Sequence, residues 1–560
     1  MVDWAMNMVR GTTSLVPERP FFMYMAFGAT HSPHQAPQDY LDKYRGRFDD
    51  GWDAAREEWY SRQKASGIIP SNTRLAPRNR GVEAWDDLPS NHQAFANRLQ
   101  EAFAGMLDHT DHQIGRMVAF LEEIGRLDDT MIIVMSDNGA SQEGQSTGVF
   151  DEMRHFNQLH EDVDEAVKHL DLIGGPRSHS NIPWGWAQAG NAPLKWYKQN
   201  THGGGTRDPL IIHWPDGLKG QEGQIRRPFA YATDIAATIL DVAGVGMPDE
   251  VAGVEQIPMS GISLRDTLTD PDAKPDRDAQ YMEMLGHRGI WMDGWKAVTW
   301  HRRGKDFNDD QWELYNLDED FSECDDLAER EPSKLKELTD RWWVEAERHG
   351  VLPLDDRGAG MLFRASRLPG TPTARRRYVY HPPISHIVSD ACPSAARSFT
   401  ITATIVHPAS GSKVDGGDGA IIARGTINSG FALYVSQGKV VFDYNCFREH
   451  SRVEMPTGLA PGTHEIVVQV DRNADQSATA TLSVDGVEAG TAHIPMLLRI
   501  ISSTGMDFGR SNAPVTDDYL APFAYPGTIH KVVIQLPEIA SARDRKAEVE
   551  AEARAAMTRQ

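Results

Sequence analysis

Met131-Ile132-Ile133-Val134-Met135-Ser136-Asp137-Asn138-Gly139 is the stretch on which the reading of this chain turns. Five apolar residues without polar alternation describe a strand covered on both faces, and a polar turn follows at once. A carboxylate and an amide, Asp137 and Asn138, therefore emerge together where a buried strand ends. Oxygen donors fixed at such an edge suit a hard divalent cation, Ca2+ or Mg2+. The plainer alternative is a turn or helix cap, which Asp-Asn-Gly often makes.

A second edge of this kind lies upstream. The apolar run at 20–27 leads into Gly28-Ala29-Thr30-His31-Ser32-Pro33-His34 and so delivers His31 to the end of a strand. Downstream, Lys198-Gln199-Asn200-Thr201-His202-Gly203-Gly204-Gly205-Thr206-Arg207 is a polar, glycine-rich loop that opens onto a strand candidate at 210–214. Helical or loop stretches separate the three strands, as the crossover connections of a parallel sheet require, so the expected class is α/β. An acid, an imidazole and an amine converge on one edge.

The rest of the chain divides by pattern. Residues 1–265 read as the α/β segment. It opens on an amphipathic helix with Val2, Ala5, Met6 and Val9 on one face, and carries a longer helix from Phe95 to Leu121 that Gly125 can end. The stretch 38–90 is too long for a simple connection and predicts structure over the rim of a site. Residues 266–368 change to short strands around the hairpin turn Asp293-Gly294, followed by a helix at about 333–348, which reads as a small α+β subdomain. Beyond the Pro/Gly linker at 369–373, residues to 536 hold short alternating strands split by Gln437-Gly438 and Asp485-Gly486, the pattern of a β-sandwich. The charged, alanine-rich tail at 537–560 reads as solvated.

Five strings in order carry a family likeness: G-A-T-H-S-P-H-Q-A-P at 28–37, F-D-D-G-W-D at 48–53, R-Q-K-A-S-G-I-I-P at 62–70, S-D-N-G-A-S at 136–141 and K-Q-N-T-H-G-G-G-T-R at 198–207. Together they resemble the sulfatase family of the alkaline-phosphatase-like superfamily, in particular its large arylsulfatase branch. The resemblance implies a doubly wound sheet, a terminal domain like those of concanavalin and laminin G, and hydrolysis of a sulfate monoester to alcohol and sulfate. It assigns His31 to sulfate binding and protonation of the departing alkoxide, a role that suits an imidazole because it titrates near neutral pH. It assigns Lys198 to the sulfuryl oxygens as a fixed cation, and Asp137 and Asn138 to the metal ion.

The departures are equally specific. Family members take their nucleophile from C/S-x-P-x-R, converted to formylglycine, and no such motif occurs in these 560 residues. The nearest string, Cys392-Pro393-Ser394-Ala395-Ala396-Arg397, has its proline and arginine out of place and sits in the sandwich. The family's early paired aspartates, which complete the metal site, and its Lys/His pair are also absent. The expectation is an N-terminally shortened sulfatase with an incomplete cation site and impaired or no turnover. Gly203 stands where the family often has glutamate, which leaves the orientation of the loop to be explained.

Composition narrows the classes. Fifty-seven basic against eighty acidic residues give a net charge of −23, which argues against nucleic acid as partner and requires a local basic pocket for any anion. Three cysteines exclude a disulfide framework and favour a reducing compartment. No signal peptide opens the chain and no apolar run reaches membrane length, so a cytoplasmic protein without a membrane partner is expected. Oligomeric state is not legible. His109 and His112, three apart on a helix, invite a zinc site, but no third ligand stands at helical spacing. Two other readings stay open: a phosphodiesterase or phosphonate hydrolase of the same superfamily, and a non-catalytic glycan-binding protein working through the sandwich.

Overall fold

Phe95, Leu99, Met117 and Leu121 recur at helical spacing, and in the computed structural model they lie buried along one helix, Ser90–Glu123. Gly125 ends it at φ +65°, with Gly125 N–H donating to the Glu122 carbonyl and Arg126 N–H to that of Leu121. The structure describes residues 1–157, 159–356, 375–384, 386–409, 417–502 and 504–538. The linker at 369–373 and nearly all of the tail expected at 537–560 lie outside them. The chain forms two compact units, residues 1–148 with 182–356, and 149–181 with the chain from 357 onward.

In the first unit the opening helix, Val2–Leu15, buries Val2 and Val9 against Met117, Phe120 and Leu121 of the long helix. Phe21, Met23, Met25, Phe27 and Ile132 pack on the same cluster. Two expectations about the sheet are corrected here. Ile132–Met135 and Leu210–His213 do form strands, but they pair with each other antiparallel, Ile132 opposite His213 and Met135 opposite Leu210. A short apolar run dictates extended backbone and says nothing about the direction of its partner. Residues 20–27 run extended without a ladder, and they are covered on one face only: Phe22 is 75% and Tyr24 84% exposed. The open positions are also apolar, so the one-sided cover left no polar alternation to read.

Residues 38–90 contain real structure, including the helix Gly51–Ala65. Trp52 from that helix packs edge-on to Trp85, with ring centroids 4.8 Å apart, and both rings contact Trp186. Downstream, Ala279–Met284, His287–Met292, Trp295–Thr299 and Trp312–Asn316 form an antiparallel sheet in that order. Asp293 and Gly294 take φ +47° and +79°, the left-handed pair that a two-residue hairpin needs. The helix Pro332–Arg348 covers this sheet through Leu338 and Trp342, against Ile290, Ala297 and Leu314.

The second unit is a sandwich whose inner faces share one core. One sheet runs in the order Val487–Ile494, Ala478–Val484, Gly462–Arg472, Phe399–His407, Thr528–Gln535, Arg377–Tyr380. The other centres on Gly419–Thr426, Ser429–Ser436, Lys439–Cys446 and Glu449–Glu454. Gln437-Gly438 and Asp485-Gly486 turn with positive φ, as their sequences predict. Residues 149–181, which the sequence places with the first segment, belong to this unit. Met153 and Phe156 enter the sandwich core, and the Asn157 side chain accepts from Arg499 N–H and donates to the Ile500 carbonyl. These contacts span more than three hundred residues, so no local pattern announces them. Among the described residues no helix is long and apolar enough to cross a membrane.

Glu161 in this unit accepts hydrogen bonds from the Phe150 and Asp151 amides, and burial pushes its carboxyl up from 4.5 to about 7. Asp151 is raised by burial and by the nearby Glu161 charge. Between pH 4.5 and 7 the folded unit therefore holds more protons than the unfolded chain, and its stability falls as pH rises. Glu161→Gln is expected to flatten that decline in urea titrations taken across the window. An unaltered slope would refute the assignment.

Candidate active site

The loop after Ile132–Met135 and the loop ahead of Leu210–His213 are held together backbone to backbone. A Cβ on Gly139 would lie 1.7 Å from the Gly204 carbonyl oxygen, and one on Gly204 would lie 2.2 Å from that of Trp196. Only glycine allows this approach. Asn191 stitches the same two loops, donating to the Trp196 and Gly204 carbonyls while its oxygen accepts from Ala140 N–H. Lys198 N–H then donates to the Ala140 carbonyl at 3.1 Å.

This stitching brings Lys198 to His31. The ammonium Nζ is 3.5 Å from His31 Nε2, and the lysine side chain is only 4% exposed against 37% for the histidine. His31 Nδ1 lies 2.9 Å from the Ser32 carbonyl oxygen, which can only accept, so Nδ1 carries the proton in the neutral ring and Nε2 faces the lysine. A third group completes the cluster. Glu143 Oε2 accepts from Lys198 Nζ at 3.3 Å and from Ser141 Oγ at 3.0 Å, and stands 3.9 Å from His31 Nε2. Sequence reasoning missed Glu143. It lies in the polar run 141–147, where an acid has no pattern to set it apart from solvated neighbours.

What orients the glycine-rich loop is a buried ion pair between the strand Trp295–Thr299 and the segment that follows Trp312–Asn316. Gly203 N–H donates to Glu323 Oε2 at 2.8 Å, and Glu323 Oε1 accepts from Lys296 Nζ at 2.7 Å with both side chains buried. Burial would raise the Glu323 carboxyl, but the Lys296 and His202 charges outweigh it and hold the group below its ordinary value. His202 itself pairs with Glu313 at 3.1 Å. Burial pushes Glu313 up as well, yet His202, Tyr315 and Lys195 pull it down to about 2. Arg207 donates to the Phe321 carbonyl and lies 4.0 Å over its ring, so its contacts anchor the loop. A glutamate from position 323 thus meets the loop where Gly203 stands.

Asp137 is exposed, and Asn138 donates its amide to the Gly139 carbonyl, leaving its side-chain oxygen for other partners. Burial and the Asp137 charge together push Asp208 up to about 7. These are hard oxygen donors of the right chemistry, but Ca2+ and Mg2+ take six to eight and six ligands. Among the described residues no group of three or more His, Cys, Asp or Glu could hold a metal ion. Asp137 and Asn138 by themselves complete neither shell. Of the other candidates, His34 is buried edge-on to Phe103, and His112 Nδ1 lies 2.6 Å from the Tyr40 hydroxyl. Cys392 lies in the second unit, its thiol 3.5 Å from the Val388 carbonyl.

Two family models match the chain: sulfatase over residues 8–245, and the C-terminal region of N-sulphoglucosamine sulphohydrolase over 194–345. Over these residues the chain is similar to the sulfatase family. That similarity is to an alkaline-phosphatase-like α/β fold, and a sheet-rich C-terminal region follows the matched residues here. An uncharacterized sulfatase of Schizosaccharomyces pombe is 34% identical over 60% of this chain and 59% of its own length. The arylsulfatase of Klebsiella aerogenes is 29% identical over 44% of this chain and 51% of its own. The chain thus spans little more than half the length of these relatives. Among solved structures, the phosphonate monoester hydrolase of Agrobacterium radiobacter is 20% identical, covers 45% of this chain and 41% of its own, and has a TM-score of 0.27. Sulfatases characteristically bind a divalent metal.

Breaking the pair under the loop should be costly, because it strands a buried charge. Lys296→Met is expected to destabilise the first unit by about 3–5 kcal/mol, and Glu323→Gln added to it to restore part of the loss. Chemical denaturation of both variants checks this. A loss of less than about 1 kcal/mol in Lys296→Met would show that the pair does not hold the loop.

Proposed function

We propose that the chain carries the leaving-group side of a sulfate monoester hydrolase, with His31 and Lys198 as its working residues. The observation that supports this reading most is the meeting of a buried ammonium and a half-exposed imidazole 3.5 Å apart, with the loop that carries the ammonium locked to its neighbour by a glycine contact. In the reaction the sulfur–oxygen bond to the alcohol breaks and negative charge gathers on the leaving oxygen. Protonated His31 supplies the proton that the departing alkoxide takes up. Lys198 stays charged and holds the sulfuryl oxygens, stabilising charge where it develops without reorganisation of solvent. Burial of the lysine strengthens this interaction, since little water screens it.

Asp137 and Asn138 are proposed as two ligands of the divalent cation, Ca2+ or Mg2+, a set that the described residues do not complete. The nucleophile is likewise not among the 560 residues, so this chain is proposed to bind the ester without turning it over. A phosphonate monoester has the same charge and nearly the same shape, and His31 and Lys198 alone do not exclude it.

Turnover of 4-nitrophenyl sulfate by the chain is expected at background level. Ligand-observed saturation-transfer NMR should still detect the ester, and Lys198→Ala should weaken that binding about tenfold or more. Turnover abolished by His31→Ala would overturn the absence of catalysis. Ester binding indifferent to Lys198→Ala would overturn the site.

A further inference from the structure

We propose that Glu143 sets the charge this site accepts, favouring singly charged esters over doubly charged phosphate monoesters. The proposal deepens the sulfate-ester reading above and rests on it. Glu143 Oε2 takes the Lys198 ammonium at 3.3 Å and Ser141 Oγ at 3.0 Å, and Oε1 takes Gln199 Nε2 at 3.4 Å. Its side chain is 14% exposed, and His31 Nε2 is 3.9 Å away. The carboxylate therefore sits within the group of charges that would meet an anion, held by three donors and largely out of water.

A fixed negative charge acts on each unit of ligand charge alike. Whatever other cations the site holds, Glu143 penalises a dianion about twice as strongly as a monoanion, and weak screening makes the difference large. A sulfate monoester carries one charge. A phosphate monoester carries two once its second proton, with pKa near 6, is lost. The discrimination is thus built from a repulsive element placed beside the attractive one. A purely structural strap between Ser141 and Gln199 would need the hydrogen bonds of Glu143 but not its charge.

The test is binding, which needs no nucleophile. At pH 8, affinities of 4-nitrophenyl sulfate and 4-nitrophenyl phosphate are measured by ligand-observed NMR for the full chain and for Glu143→Gln, Glu143→Asp and Lys198→Ala, with circular dichroism to confirm folding. The full chain is expected to prefer the sulfate. Glu143→Gln, which preserves shape and acceptor, should move the ratio toward the phosphate by about tenfold or more, whereas Glu143→Asp should retain the preference. A ratio unchanged in Glu143→Gln, while Lys198→Ala abolishes binding of both esters, overturns the role of Glu143 alone. Absence of any binding that depends on Lys198 overturns the underlying reading and this proposal with it.

Discussion

The contact between Gly139 and the Gly204 carbonyl is the constraint on which the site depends. Two loops from neighbouring antiparallel strands pass so close that Gly139 tolerates no Cβ at the crossing, while Gly204 is closed in by the Trp196 and Lys195 carbonyls of its own loop. That closeness lets Lys198 N–H reach the Ala140 carbonyl, which in turn sets where the lysine side chain begins. A lysine has rotamer entropy to lose when held in one place, and a backbone anchored on both sides reduces the number of places it can go. The glycine triplet at 203–205 is therefore less a flexible hinge than a packing device. It also frees the Gly203 amide to reach Glu323, so one sequence feature serves both contacts.

Much of this was legible in the sequence, and what was not has a physical reason. The strand at 132–135, the long helix, the hairpin at Asp293-Gly294 and most of the sandwich strands follow from periodicity and turn chemistry, which are local. His31 and Lys198 were found through position beside apolar runs and through family strings, and they meet in space. Strand direction was missed because an apolar run has none. The one-sided cover of 20–27 was missed because Phe22 and Tyr24 are apolar yet open, so hydrophobicity there did not mean burial. Glu143, Lys296 and Glu323 were invisible for a different reason. Each acts through a partner more than twenty residues away, and neither an acid in a polar run nor a lysine on a short hairpin strand carries a local sign of such a partner.

The excursion at 149–181 illustrates how such distance is managed. In chain order it separates Glu143 from Lys198, and a loop of that length would ordinarily leave the two ends free to drift. Instead its ends are closed within each unit. Val149 and Asn181 exchange backbone hydrogen bonds in the second unit. In the first, Trp184 N–H donates to the Gln145 carbonyl and its indole to that of Gln142, both at 2.8 Å. Residues 142–145 and 184 are thereby fixed to each other whatever lies between, so the segment bearing Glu143 is tied to the one leading to Lys198 within the first unit.

Electrostatics then decides what such a cluster can do in a chain carrying −23. The mean field repels anions, and over a Debye length of about 8 Å in physiological salt the distant charges are largely screened. Only groups at the site itself count. A lysine that is 4% exposed cannot spread its charge into water, so its pull on an anion is concentrated where it points. The same burial makes an unpaired ammonium expensive, and Glu143 offsets that cost while no ligand is bound. An arriving anion must therefore share Lys198 with a carboxylate already in place, which ties the stability of the empty site to the charge of the ligand that can fill it.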